Sequence, residues 1–185
     1  MISVQLDGAA GPANTLAGRL QVAPPMDKPR RPGRVSALGF LLAAALLCPM
    51  PAVVEAASQE GELSCLAQTL YWEAKTEGRN GMVAVAWVIL NRMRDGEYPH
   101  SVCGVVKQGR EKPGCQFSYW CDGKPDTPKP DEAWALTQEV AKEMLSSPPP
   151  DPTGGAVFYH AAETRAPWST SRVRTARIGR HVYYR

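Results

Sequence analysis

Histidine is scarce in this chain: three in 185 residues, at positions 100, 160 and 181. There is no His-Glu-x-x-His and no Cys-x-x-Cys. Those absences remove the usual ligand spacings of zinc enzymes, and no metal and no cofactor is expected. No apolar run reaches the ~20 residues that a membrane-spanning helix needs; the run over 36–48 has 13. Charge of one sign is lacking too. Of 21 basic and 18 acidic side chains, five and three fall within residues 1–57, which leaves 58–185 at net +1. That balance is not the footprint of a nucleic-acid binder. The exception is local: Arg165, Arg172, Arg174, Arg177, Arg180 and Arg185 lie in the last 21 residues without an acid among them. Such a face either meets an anionic polymer or is simply solvated.

What is present begins with a leader pattern. Lys28, Arg30, Arg31 and Arg34 precede the apolar run, and small residues around Ala56, Ala57 and Ser58 follow it. This is the order of a secretory signal peptide; the alternative is an uncleaved anchor. Residues 1–25 are long for an ordinary leader, so Met26 is expected to be the true start. Residues 1–57 are therefore read as N-terminal extension and signal peptide, and 58–185 as one domain of 128 residues, enough for a single core. The protein is expected in the periplasm or cell wall. Cys48 lies in the leader, and the bulky Leu47 before it argues against lipidation. Cys65, Cys103, Cys115 and Cys121 remain, an even number that suits disulfides in an exported chain. Cys115 and Cys121 are close enough to close a tight loop, leaving Cys65 with Cys103, although four cysteines allow three connectivities. Paired cysteines leave no thiolate to act with His160 as a nucleophile.

The stretch 63–74 has apolar residues at 63, 66, 67, 70 and 74, one stripe at helical period. At about 100° per residue, Glu73 falls on the flank of that stripe beside Leu66. Burial there raises a carboxyl pKa and makes a proton donor near neutral pH. Residues 81–94 read as a buried helix, 100–108 as a short one, and 131–145 as a helix capped by Asp131. Residues 109–130 are loop-rich. Residues 156–160 and 177–184 read as two strands of a small antiparallel ribbon. The fold expected is α+β and mainly helical.

One acid without a partner limits the chemistry. Glycoside hydrolases usually place two carboxylates across the bond. Glu77 lies one turn further on the same helix, and Asp95 and Glu97 lie in a turn. A single acid suffices when the substrate supplies its own nucleophile, as the carbon-six hydroxyl of muramic acid does in forming an anhydro product. On composition alone, such a glutamate is more often structural.

Five blocks alter that balance: Tyr71-Trp72-Glu73-Ala74, the run 81–92, Tyr98-Pro99 with 102–106, Cys115-Gln116-Phe117-Ser118, and the closing 176–184. In order and spacing they resemble the SleB/CwlJ-type cell-wall hydrolase family over residues 63–185. The resemblance implies a lysozyme-like or lytic-transglycosylase-like domain whose single catalytic Glu matches Glu73. It implies a glycan cleft lined by Gln116, Phe117 and Ser118, with His160 at a strand end, and Glu77 and Tyr71 as supporting residues. Glu77 is expected to raise the pKa of Glu73 as a like neighbour. Asn91 is expected to hydrogen-bond nearby backbone. Lys75-Thr76 departs from the family's frequent Arg-Gly, just past the acid. The resemblance extends to no separate peptidoglycan-binding repeat, unlike some family members, so binding is expected from the domain itself, its arginine-rich end included, or from partners. The partner implied is the peptidoglycan glycan strand, cleaved between N-acetylmuramic acid and N-acetylglucosamine by a monomer. Two alternatives stay open: a non-catalytic wall-binding module, and a hydrolase with an unidentified second carboxylate.

Overall fold

A computed structural model describes residues 52–109 and 114–185. The expected leader 1–57, its start at Met26 and Cys48 lie almost wholly outside the described residues. Four helices run over Ala52–Ala74 (α1), Gly78–Arg94 (α2), Val102–Lys107 (α3) and Glu132–Ser146 (α4). Three strands follow, Phe158–Ala161 (β1), Arg174–Ile178 (β2) and His181–Tyr184 (β3). The architecture is α+β, mainly helical with a small antiparallel sheet, as the sequence leads one to expect. Among the described residues, no helix is long and apolar enough to cross a membrane.

The central element is α2, because its sequence leaves it no polar face. Met82, Ala84, Val85, Ala86, Val88 and Ile89 are fully buried. A helix apolar nearly all round is stable only when covered on all sides, and α1, α3, α4 and the sheet supply that cover. Helix α1 offers Leu66, Ala67, Leu70, Tyr71 and Ala74 to the same core. The turn to α2 passes through Gly78 at φ +65°, a left-handed geometry that costs a Cβ-bearing residue about 1–2 kcal/mol.

Local polar contacts set the ends of the elements. Ser101 caps α3 by accepting from the Gly104 N–H at 3.1 Å. Glu62 of α1 accepts from the Val102 N–H at 2.5 Å, placing an anion at the α3 N-terminus. A disulfide joins Cys65 to Cys103, their Cα atoms 5.4 Å apart, and ties the same two helices. A second joins Cys115 to Cys121. Asp131 caps α4 by accepting from the Trp134 N–H at 2.9 Å. Asn91 donates to Asp151 Oδ2 at 3.0 Å and to the Ala156 carbonyl at 3.1 Å, fixing the loop that leads into β1.

The sheet departs from the two-stranded expectation. The segment read as one strand over 177–184 is a hairpin turning at Gly179 and Arg180, and the strand order is β1-β3-β2. The reason is local: Gly179 takes φ +56°, which breaks the extended run. Tyr159 pairs with Tyr183, and His160 with Val182. Successive residues of a strand face opposite sides. Tyr159 and Tyr183 therefore join the helical core, while Phe158, Val182 and Tyr184 form a second apolar cluster with Trp168 on the other face.

Candidate active site

Glu73 lies in the last turn of α1 with 9% of its surface exposed. It opens into a cavity of about 320 Å³ walled also by Trp72, Thr76, Glu77, Glu163, Arg180 and His181. Tyr159 of β1 donates its hydroxyl hydrogen to Glu73 Oε2 at 2.9 Å. That donor is held rigidly: its ring stacks on Tyr183 at 5.8 Å and meets the edge of His181 at 5.1 Å. Behind the pair lies Arg92, fully buried in α2, with Nε donating to the Val157 carbonyl at 2.8 Å. Its guanidinium faces the rings of Tyr98 and Phe117.

These surroundings pull the Glu73 carboxyl both ways. Burial raises its pKa, and the Tyr159 hydrogen bond and the Arg92 charge lower it; burial prevails and the pKa is raised. A carboxyl in that state keeps its proton to a higher pH than an exposed one. His181 is pushed the other way, mainly by burial, so the cavity wall holds an imidazole biased toward neutrality.

Glu77 does something different. Its side chain is nearly sealed because the β2–β3 turn closes over it. The Arg180 N–H donates to Oε2 at 2.8 Å and Arg180 Nε to Oε1 at 2.7 Å. Arg180 also donates to Thr76 Oγ1 at 2.6 Å. Partial burial raises the Glu77 pKa, but the two Arg180 hydrogen bonds and the nearby His181 and Arg180 charges outweigh it and leave it lowered. Glu77 thus fastens the sheet to the α1–α2 turn and closes one end of the cavity. Its charge is met by Arg180, which weakens the expected like-charge push on Glu73.

The other sequence-derived site residues are scattered. Tyr71 is buried, donating to Asp131 Oδ2 at 3.2 Å and accepting from the Lys129 N–H at 3.3 Å; it anchors the start of α4. Phe117 is fully buried beneath Arg92, and Gln116 is buried with its N–H donating to the Gln108 carbonyl. Ser118 opens a 3₁₀ turn over Ser118–Cys121. His160 sits on the sheet face opposite Tyr159, its Nε2 paired with the Tyr184 hydroxyl at 2.9 Å and its ring against Trp168. None of these five lines the cavity around Glu73. Three residues that do shape the site were missed: Tyr159, Arg92 and Glu163. The alternation of a strand marks 159 and 160 as opposed, but an imidazole attracts attention that a second tyrosine does not. The arginine-rich end is also partly engaged. Arg180 holds Glu77, and Arg172 lies over the Phe158 ring, whereas Arg174, Arg177 and Arg185 are exposed.

The sequence profile of a family described as Cell Wall Hydrolase matches residues 76–184, more than half of the chain; the match begins just past Glu73. The spore cortex-lytic enzyme of Halalkalibacterium halodurans is 33% identical over 131 residues, covering 70% of this chain and 36% of that one. The spore cortex-lytic enzyme of Bacillus subtilis is 31% identical over 125 residues, covering 66% and 37%. The chain thus spans less than half the length of these relatives. A solved structure of the catalytic domain of Bacillus cereus SleB superposes with a TM-score of 0.56 at 28% identity, covering 68% of this chain and 91% of that one. The catalytic domain of a germination-specific lytic transglycosylase, SleB from Bacillus anthracis, does so with the same score and identity, covering 68% and 95%.

Proposed function

The chain belongs to the cell wall hydrolase family, and from that premise we propose that it cleaves the peptidoglycan glycan strand as a lytic transglycosylase with Glu73 as its acid. The observation that carries the proposal is the Glu73–Tyr159 pair: a buried carboxyl with a raised pKa, oriented by one hydroxyl, at the wall of a cavity. A proton donor in such a site contributes typically ~10²–10⁴-fold to the rate. The protonated carboxyl gives its proton to the oxygen between N-acetylmuramic acid and N-acetylglucosamine as the bond from carbon one breaks. The carboxylate left behind is stabilised by the Tyr159 hydroxyl and the Arg92 charge. It then takes the proton from the carbon-six hydroxyl of the muramic residue, whose oxygen bonds to carbon one. The product carries a 1,6-anhydro end, and Glu73 regains its proton.

The proposal includes export of the chain, in keeping with the basic and apolar leader, and action in the periplasm or wall as a monomer. A second reading rests on Glu163, an exposed carboxylate in the wall of the same cavity. There it would activate a water, and the enzyme would be a hydrolase. Mass spectrometry of fragments released from purified peptidoglycan separates the two. An anhydro end with activity retained in Glu163→Gln supports the transglycosylase. A reducing end lost in Glu163→Gln overturns it in favour of hydrolysis. Binding without any release would reduce the domain to a wall-binding module.

A further inference from the structure

A second cavity lies nearer the N-terminal end of α1. Ser64 and Gln68 line it from the helix, Tyr119 and Trp120 from the 3₁₀ turn, and Lys107 from the end of α3; its volume is about 290 Å³. The two cavities share a wall of aromatic rings. Trp72, in the Glu73 cavity, stacks on Tyr119, in the second, at 6.3 Å with 22° between planes. Positions 61, 64, 65, 68 and 72 succeed one another at helical spacing on one face of α1. From Gln68 to Glu73 the helix rises about 7.5 Å and turns through about 140°, so a short run of sugar rings would pass from one cavity to the other around the helix beside Trp72.

The second cavity is built as well as continuous. Tyr119 is fixed to α1 by a 2.9 Å hydrogen bond between its hydroxyl and Thr69 Oγ1. The Lys107 ammonium lies 4.8 Å from the Trp120 ring, and the Cys65–Cys103 disulfide forms part of the wall. Trp72 is held by its Nε1–H donating to the Asp126 carbonyl at 3.1 Å. The Gln68 amide, by contrast, has no hydrogen-bond partner among the described residues, and it is half-buried. Rigid aromatic rings beside an uncommitted amide suit a ligand with apolar ring faces and polar edges. N-acetylated sugars have both.

We infer that this second cavity is a distal sugar site, in which Gln68 and Trp120 hold the same glycan strand whose scissile bond lies at Glu73. The inference rests on the glycan reading above. A strand engaging both cavities gains affinity with length, because the second contact is intramolecular once the first is made. The roles of the two residues are distinct: Trp120 presents a ring face, and Gln68 pairs with an acetamido group or hydroxyl.

The test uses the full chain carrying Glu73→Gln, so that no ligand is consumed, titrated with oligomers of N-acetylglucosamine. The Gln68 side-chain amide and the Trp120 indole N–H are followed by nuclear magnetic resonance. The Trp72 indole and His181 report separately on the cavity at Glu73. The expected result is that the hexamer shifts the Gln68 and Trp120 signals with the same Kd as the Trp72 and His181 signals. The hexamer should bind roughly tenfold or more tightly than the dimer, and Gln68→Ala should shrink that gain. If the hexamer moves Trp72 and His181 but not Gln68 and Trp120, the distal site is overturned while the glycan reading stands. If no oligomer moves any of the four, the distal site is overturned, and the glycan reading is decided separately by fragment release from peptidoglycan. A response of Gln68 and Trp120 with its own Kd and no dependence on length also overturns the inference.

Discussion

Glu73 and Glu77 are the same residue type on one side of α1 and its following turn, one helical turn apart, and the protein drives them in opposite directions. Glu73 is enclosed by apolar core with a single hydroxyl donor on Oε2, and its pKa is raised. Glu77 receives an N–H and a guanidinium from Arg180, and its pKa is lowered. Position along a helix does not decide what a carboxylate does; the number of donors aimed at it does. One keeps its proton to a higher pH and the other is a fastening. The sheet supplies both partners, Tyr159 from β1 and Arg180 from the β2–β3 turn, so a single small element sets the two acids apart.

The largest effect should come from breaking the first half of that contrast. Glu73→Gln keeps the shape and removes the proton, and release of soluble fragments from peptidoglycan should fall roughly 10²–10⁴-fold with the circular dichroism spectrum unchanged. Tyr159→Phe sharpens the contrast. It removes the donor that holds the Glu73 pKa down, so the basic limb of the pH–rate profile should move to higher pH. It also costs about 0.5–1.5 kcal/mol of stability for the lost hydrogen bond, readable by urea unfolding. A purely structural Tyr159 would change stability but leave the limb in place.

The second half can be broken at the turn. Gly179→Ala places a methyl against Glu77 Oε2 in a left-handed backbone. Stability should drop by about 1–2 kcal/mol from the backbone alone, seen as a lower unfolding midpoint. Smaller but more telling is the pH dependence of stability. The folded pKa of Glu73 is raised, so its ionisation opposes folding, and the opposition grows as pH rises from the unfolded toward the folded pKa. The folded pKa of Glu77 is lowered, so its contribution is present above the unfolded pKa and is lost as pH falls through the folded one. Glu73→Gln should therefore become relatively more stable than the native protein as pH rises toward neutrality, and Glu77→Gln relatively less stable. Both differences should shrink in acid. Urea unfolding across pH 3–8 (roughly the window over which carboxyls and their shifted forms titrate) checks the two signs together.

Much of this frame is legible in the sequence, for reasons that can be traced. The all-round apolar run of α2 demands burial, and the apolar stripe of α1 places Glu73 on its flank. The Asp131 cap is readable because its side chain answers a local need of the adjacent helix. The sheet was harder. The run 177–184 looks continuous, and only Gly179 signals that it turns. The partners of Glu73 were hardest, because Tyr159 and Arg92 reach it across 86 and 19 residues of chain. Hydrophobic period shows which face a residue takes on its own element, not which element that face will meet. Hence His160 drew attention by its chemistry while its neighbour Tyr159 makes the contact.

The most direct test is a carbon-13 titration of the two glutamate carboxyls in the same sample. Signals are assigned by Glu73→Gln and Glu77→Gln, and the full chain is followed from acid to neutral pH. Glu73 should lose its proton above the ordinary glutamate value and Glu77 below it, with Glu73 moving further up in Tyr159→Phe. If Glu73 titrates at or below Glu77, it is not the proton donor that cleavage by a single acid requires.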